Sequence, residues 1–195
     1  MAIVATTSKV HWNYFLALEH DLELAGRYVE FSQPNMETYS VEFAHLLLAA
    51  SSEVDVVAKL LCKRLNVDAP RGNIDQYRTV LTQHLPELVK MQVLVPRYGL
   101  NLTPWENWSS DNNPDWWQCH NNVKHERDSF FHEATLKNSL NALGALLTLI
   151  FHHYSYAESQ TSQPLSAKDT TRLLLPQSSL MQFSDDYYNA ILITE

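Results

Sequence analysis

Apolar residues recur along most of this chain at spacings of three and four, the period of an amphipathic helix. Phe15, Leu18, Leu22, Ala25 and Val29 predict a first helix over residues 12–30, closed by the segment 32–35 with Pro34. The clearest pattern follows over residues 39–65. Ser40 is placed as an N-cap, and Phe43, Leu47, Ala50, Val54, Val57, Leu61 and Leu65 form a narrow seam that suits packing against other helices. A shorter helix is expected over 74–85, with a further turn or two over 86–91. A last long helix is expected over 122–157, with the seam Leu136, Leu140, Leu143, Leu147, Ile150 and Tyr154.

Two stretches break the helical period. Residues 95–115 hold Pro96, Pro104, Pro114, a run of small polar residues, Trp105 and Trp108. With Trp116 and Trp117 they make a tryptophan-rich loop over 95–121, and tryptophans in a polar loop usually clamp it to the body of a protein. After Pro164, residues 171–175, 180–183 and 187–194 read as short extended segments. The expected architecture is mainly α: an up-and-down helical bundle over residues 1–160, with a short C-terminal β appendage over 161–195. The second and last long helices are expected at its centre.

Composition narrows the function. Four glycines in 195 residues favour long helices over a turn-dense β fold. A net charge of −8 excludes a broad basic coat for duplex nucleic acid, though not a small local basic site. Cys62 and Cys119 form no CxxC pair, which fits reduced thiols in a cytoplasmic protein. The first ten residues lack the apolar core of a signal peptide, and the longest apolar run, near 140–151, is too short to span a bilayer. No membrane association is expected, and the sequons at Asn101 and Asn107 carry no meaning inside a cell.

The chemistry concentrates in residues 116–132, which include Trp116, Trp117, Cys119, His120, Asn122, Lys124, His125, Arg127 and His132. Extending the last seam backwards from Leu136 reaches His132, Ser129, His125 and Asn122, so the apolar face becomes a polar line. On the functional reading, His125 and His132 act as general acid or base, and Arg127 or Lys124 holds an anion such as a phosphodiester. On the structural reading, Asn122 caps the helix and the histidines are satisfied interior groups. Candidate partners on the second helix are His45, Glu53, Asp55 and Lys59, with Glu53 beside the seam. Cys119, His120, His125 and His132 match no standard zinc spacing, and His152 and His153 are adjacent and point about 100° apart on a helix. No metal site and no cofactor are expected. There is no Gly-rich phosphate loop and no GxSxG elbow.

The run Asn121, Asn122, Val123, Lys124, His125, Glu126, Arg127, followed by Phe131, Ala134 and Leu136, resembles the final helix of HEPN-type domains. The second helix resembles theirs through Tyr39 to Glu42, Leu46 to Leu48, Ser52 to Asp55 and Lys59. The resemblance implies a small helical bundle that dimerises with itself. It also implies either a metal-independent ribonuclease, often of bacterial toxin–antitoxin or phage-defence systems, or a non-catalytic binding module. The family's motif, Arg followed after four to six residues by His, is matched by Arg127 and His132, with Asp128 as the polar residue after the arginine. A second alignment takes His125 as the motif histidine, with Asn121 or Asn122 as the polar residue, and puts Cys119 or His120 at the arginine position. If active, one histidine takes the 2′-hydroxyl proton of RNA and the arginine stabilises the phosphorane. In the alternative, the tryptophan loop with Trp116 and Trp117, the acidic surface and the C-terminal strands bind a regulatory partner protein.

Overall fold

The computed structural model describes residues 8–161 and 163–184. It is mainly helical, with one small antiparallel sheet. Its helices are α1 (Val10–Ala25), α2 (Val41–Leu65), α3 (Ile74–His84), α4 (Asp115–His125), α5 (Arg127–Phe130), α6 (Leu136–Ala157) and α7 (Ala167–Leu173). Strands β1 (Val93–Val95) and β2 (Leu100–Leu102) form a hairpin, and β3 (Gln182–Phe183) pairs with the other edge of β1, giving the order β2-β1-β3. Short 3-10 turns join these elements.

The most extensive packing is between α2 and α6. The α2 seam from Phe43 to Leu61 is buried as its spacing predicts, and the Ser40 hydroxyl accepts the Phe43 N–H at 3.0 Å. Every residue of α6 from Ala142 to His152 is buried, so this helix is enclosed on all sides rather than along one seam. Gly144 makes part of that enclosure possible. A Cβ there would come within 3.2 Å of Pro104 and 3.4 Å of Leu102, so the hairpin sits directly on the α6 backbone. The hairpin turn itself uses Gly99 at φ +63°, a left-handed conformation.

The sequence expectation differs from the structure in several places, and the first helix, expected to residue 30, ends at Ala25. The last long helix does not start at residue 122. It is divided into α4, α5, a 3-10 turn over 131–133 and α6, with non-helical backbone at Glu126 (φ −137°, ψ 52°) and Ala134 (φ −75°, ψ 60°). Thr135 is the true N-cap of α6: its hydroxyl accepts from Asn138 N–H at 3.2 Å. The carbonyls of Thr38 and Met36 take the N–H groups of Leu136 and Lys137 at 2.9 and 3.0 Å. The tryptophan loop is not irregular to residue 121, because α4 begins at Asp115. Residues 171–173, expected as extended, belong to α7, which Ser166 caps by accepting from Asp169 N–H at 3.1 Å.

The C-terminal strand expected near 180–183 is present, and its partners are Val93 and Leu94 of β1, just before the tryptophan loop. This tail is held to α1 by Glu19, which is buried. Its carboxylate accepts the N–H groups of Ser179, Leu180 and Met181 at 3.1 to 3.2 Å, and the Ser178 hydroxyl. The expected segment 187–194 lies outside the described residues. Among the described residues no helix is long and apolar enough to cross a membrane.

Candidate functional site

The break at Glu126 decides the geometry of the candidate residues. A helical line from Asn122 to His132 needs an unbroken register, and that register is lost between α4 and α6. Lys124 and His125 close α4, Arg127 opens α5 and His132 lies in the 3-10 turn over 131–133, and all four are exposed. Among the described residues none of the four has a hydrogen bond or ion pair to another side chain, and the Phe130 ring stands 6.5 Å from that of His132. General acid–base catalysis needs a base held in place by a partner, and a single chain supplies none here.

Asn122 is tied down instead. Its amide donates to the Glu133 carboxylate at 2.9 Å, and Asn138 donates to the Glu133 carbonyl at 2.8 Å, so this network holds α4 against the start of α6. Burial, with the Glu133 charge beside it, pushes the Cys119 thiol up to about 11, which keeps it protonated and unreactive.

The tryptophans are interior. Trp105 donates its indole N–H to the Thr148 hydroxyl at 2.8 Å, and Trp116 donates to the Pro104 carbonyl at 2.8 Å. Rings of Trp105, Trp108, Trp116 and Trp117 follow one another at 4.2 to 5.7 Å. Trp116 and Trp117 therefore fasten the loop and α4 to the bundle and present no face to a partner. His120, its ring tilted against Trp117 at 5.3 Å, is buried with them, and burial pushes it down to about 4.

Glu53 has a partner far from the candidate histidines. Its carboxylate meets Nδ1 of His11, on α1, at 2.5 Å, with both side chains 16% exposed. The His153 ring packs edge-on to His11 at 5.4 Å, and the Tyr154 ring lies 6.5 Å from that of His11. This junction of α1, α2 and α6 was not visible in the sequence, because its members lie 42 and more residues apart. Asp55 and Lys59 pair with each other at 2.5 Å, and Asp55 also accepts from the Tyr77 hydroxyl at 2.7 Å.

What the surface does offer is apolar. Helix α1 buries Trp12, Phe15, Leu18 and Leu22, yet a second row, Val10, Tyr14, Ala17, Asp21, Leu24 and Tyr28, runs along its outer side at alternating spacings of three and four. Tyr28 is 87% exposed and Leu24 43%. Helix α2 carries a similar outer row of Val41, His45, Leu48, Ser52 and Val56, with Val41 61% exposed. The two helices lie side by side, with His11 bonded to Glu53 at one end. At the other, a groove of 470 Å³ is lined by Asp21, Leu24 and Tyr28 from α1 and its following turn and by Ser40, Glu42 and Phe43 at the start of α2. The 3-4 spacing of these outer rows is present in the sequence, but the inner rows carry the larger apolar side chains and dominate the pattern. No family model, no curated protein and no solved structure matches this chain.

Proposed function

We propose that the chain is a HEPN-like helical module that acts by binding a partner protein rather than by cutting RNA, with the outer face of α1 and α2 as its contact surface. The observation that carries this reading is the exposed row ending in Leu24 and Tyr28, which line a groove with Ser40, Glu42 and Phe43 at the start of α2. Single exposed apolar residues are ordinary, but a contiguous patch following one helical line marks an interaction surface. The resemblance of residues 39–59 and 121–136 to HEPN-type domains accommodates a module without catalysis.

A second reading is a metal-independent ribonuclease of toxin–antitoxin or phage-defence type. It is favoured by the exposure of Lys124, His125, Arg127 and His132 from the end of α4 to the 3-10 turn before α6. There a histidine would take the 2′-hydroxyl proton and Arg127 would stabilise the phosphorane, provided a second copy positioned them. Incubation of the purified chain with total RNA in EDTA separates the two. The binding reading expects intact RNA. Cleavage that disappears in Arg127→Ala, His125→Ala or His132→Ala would overturn it in favour of the nuclease.

A further inference from the structure

We propose that the pocket between α1, α6, α7 and the C-terminal tail binds a small, neutral aromatic molecule that carries an amide-like edge. The pocket shares no lining residue with the α1–α2 groove, so the proposal goes beyond the binding reading and does not depend on it.

The pocket has a volume of about 320 Å³. That lies at the lower end of the range for small-molecule sites. Its apolar walls are Trp12 of α1, Leu147 and Phe151 of α6, Leu174 at the end of α7, and Met181 and Phe183 of the tail, all of them buried. Three of the six are aromatic, which suits a flat ring. Trp12 is itself backed by Phe15, stacked on it at 5.1 Å, so its position is fixed from behind.

The polar groups decide the charge and the edge of the ligand. Among the described residues no ionisable side chain lines the pocket. A charged ligand would lose water there without gaining a counter-charge, so the site selects against ions. Most polar side chains of the lining already donate within the chain. The Trp12 indole N–H donates to the Pro176 carbonyl at 3.0 Å, the Thr171 hydroxyl donates to the Ala167 carbonyl at 2.9 Å, and the Ser178 hydroxyl bonds to Glu19 and to the Met181 carbonyl. The amides of Gln177 and Gln182 remain. Both residues are exposed, and neither side chain makes a hydrogen bond among the described residues. Each amide offers a donor beside an acceptor, and its complement is a ligand edge that does the same.

The walls are held in place by the chain's own bonds. Glu19 fixes the backbone N–H groups of Ser179, Leu180 and Met181, Trp12 fixes Pro176, and β3 is paired to Val93 and Leu94. A tail without these anchors would settle into the space it borders, since protein interiors close-pack where they can. A wall already in place also spares a ligand the cost of ordering it.

The test uses 2-quinolinone, a neutral bicyclic lactam, titrated into the 15N-labelled full chain and followed by NMR. Saturable shifts are expected at the Trp12 indole N–H, at the Gln177 and Gln182 side-chain amides and along the backbone of residues 177–183. Gln177→Ala and Gln182→Ala are each expected to raise the dissociation constant about two- to tenfold, the worth of one neutral hydrogen bond. Both positions are exposed, so an unchanged thermal midpoint separates this loss from unfolding. Thr171→Trp, which fills the pocket from α7, is expected to abolish the shifts. Quinoline, the same ring system without the lactam carbonyl, should bind more weakly than 2-quinolinone, and the anion 2-naphthoate more weakly still. The proposal is overturned by the absence of saturable shifts at millimolar 2-quinolinone, or by shifts confined to other residues such as Leu24 and Tyr28. An affinity indifferent to both glutamines, or equal for 2-naphthoate, overturns it as well. None of these readouts depends on the RNA assay or on a partner at α1 and α2.

Discussion

Trp105 shows how a single residue sets the position of a whole loop. It is fully buried, packs tilted against Trp108 and edge-on against Trp116, and donates to Thr148 in the middle of α6. Thr148 passes the bond on to the Ala145 carbonyl at 2.7 Å, so the hydroxyl keeps its own acceptor when Trp105 is lost. Trp105→Phe should therefore cost the indole bond and part of the ring contact, about 1–3 kcal/mol, read as a lowered urea midpoint with an unchanged slope. Glu19 is the charged counterpart. A carboxylate that collects three backbone N–H groups and a serine hydroxyl leaves the Ser179 and Leu180 N–H groups without an acceptor when it is removed, while the Ser178 hydroxyl and the Met181 backbone still bond to each other. Glu19→Ala is expected to lose about 3 kcal/mol or more and to raise hydrogen exchange selectively over residues 178–183, where β3 joins the sheet. Uniformly faster exchange throughout the chain would show that Glu19 does not act as a local clasp.

At the scale of elements, the start of α6 carries most of the difference between sequence and structure. No glycine or proline occurs between residues 115 and 135, so nothing in composition punctuates the passage from α4 to α6. What ends the helix is tertiary. The segment around Tyr39 bridges Thr135, the carbonyls of residues 36 and 38 accept the first α6 N–H groups, and Asn122 is bonded across the gap to Glu133. Thr135→Ala should cost about 1 kcal/mol through the lost cap, measured by thermal or urea unfolding, and Ser40→Ala about the same at α2. Helix α2 was legible because its cap and its seam agree in the sequence. The tryptophan loop was legible as a clamp because large aromatic rings among polar residues must be buried somewhere. The polar line of Asn122, His125 and His132 was not, because it assumed a helical phase that contacts remote in sequence interrupt. The outer rows of α1 and α2 were readable but masked: a helix with two opposed apolar rows is dominated by the one that builds the core.

The whole molecule is organised around α6, and enclosing that helix draws two histidines inward. Burial pushes His152 down to about 4. It acts likewise on His153, aided by the charges of His11 and Arg64, and on His120, aided by those of Lys124 and His125. Proton counts fix the sign of the consequence. In the unfolded chain each imidazole titrates near 6.5, while in the folded protein each stays neutral until about 4. Between those values the unfolded state binds more protons, so stability is complete above about pH 6.5 and falls as the pH drops towards 4. The slope is at most about 1.4 kcal/mol per pH unit for each fully buried group. His152, which is almost wholly enclosed and has only the Met91 sulfur 3.1 Å away, should approach that limit. His153, which is only partly buried, should contribute less. Urea unfolding at pH 7.5 and pH 5 is therefore expected to differ by at least about 2 kcal/mol, and His152→Leu should flatten the difference by most of that amount. Equal stability at the two pH values would mean that these rings take up protons as readily in the folded state as in the unfolded one, and that the enclosure of α6 is looser than its packing implies.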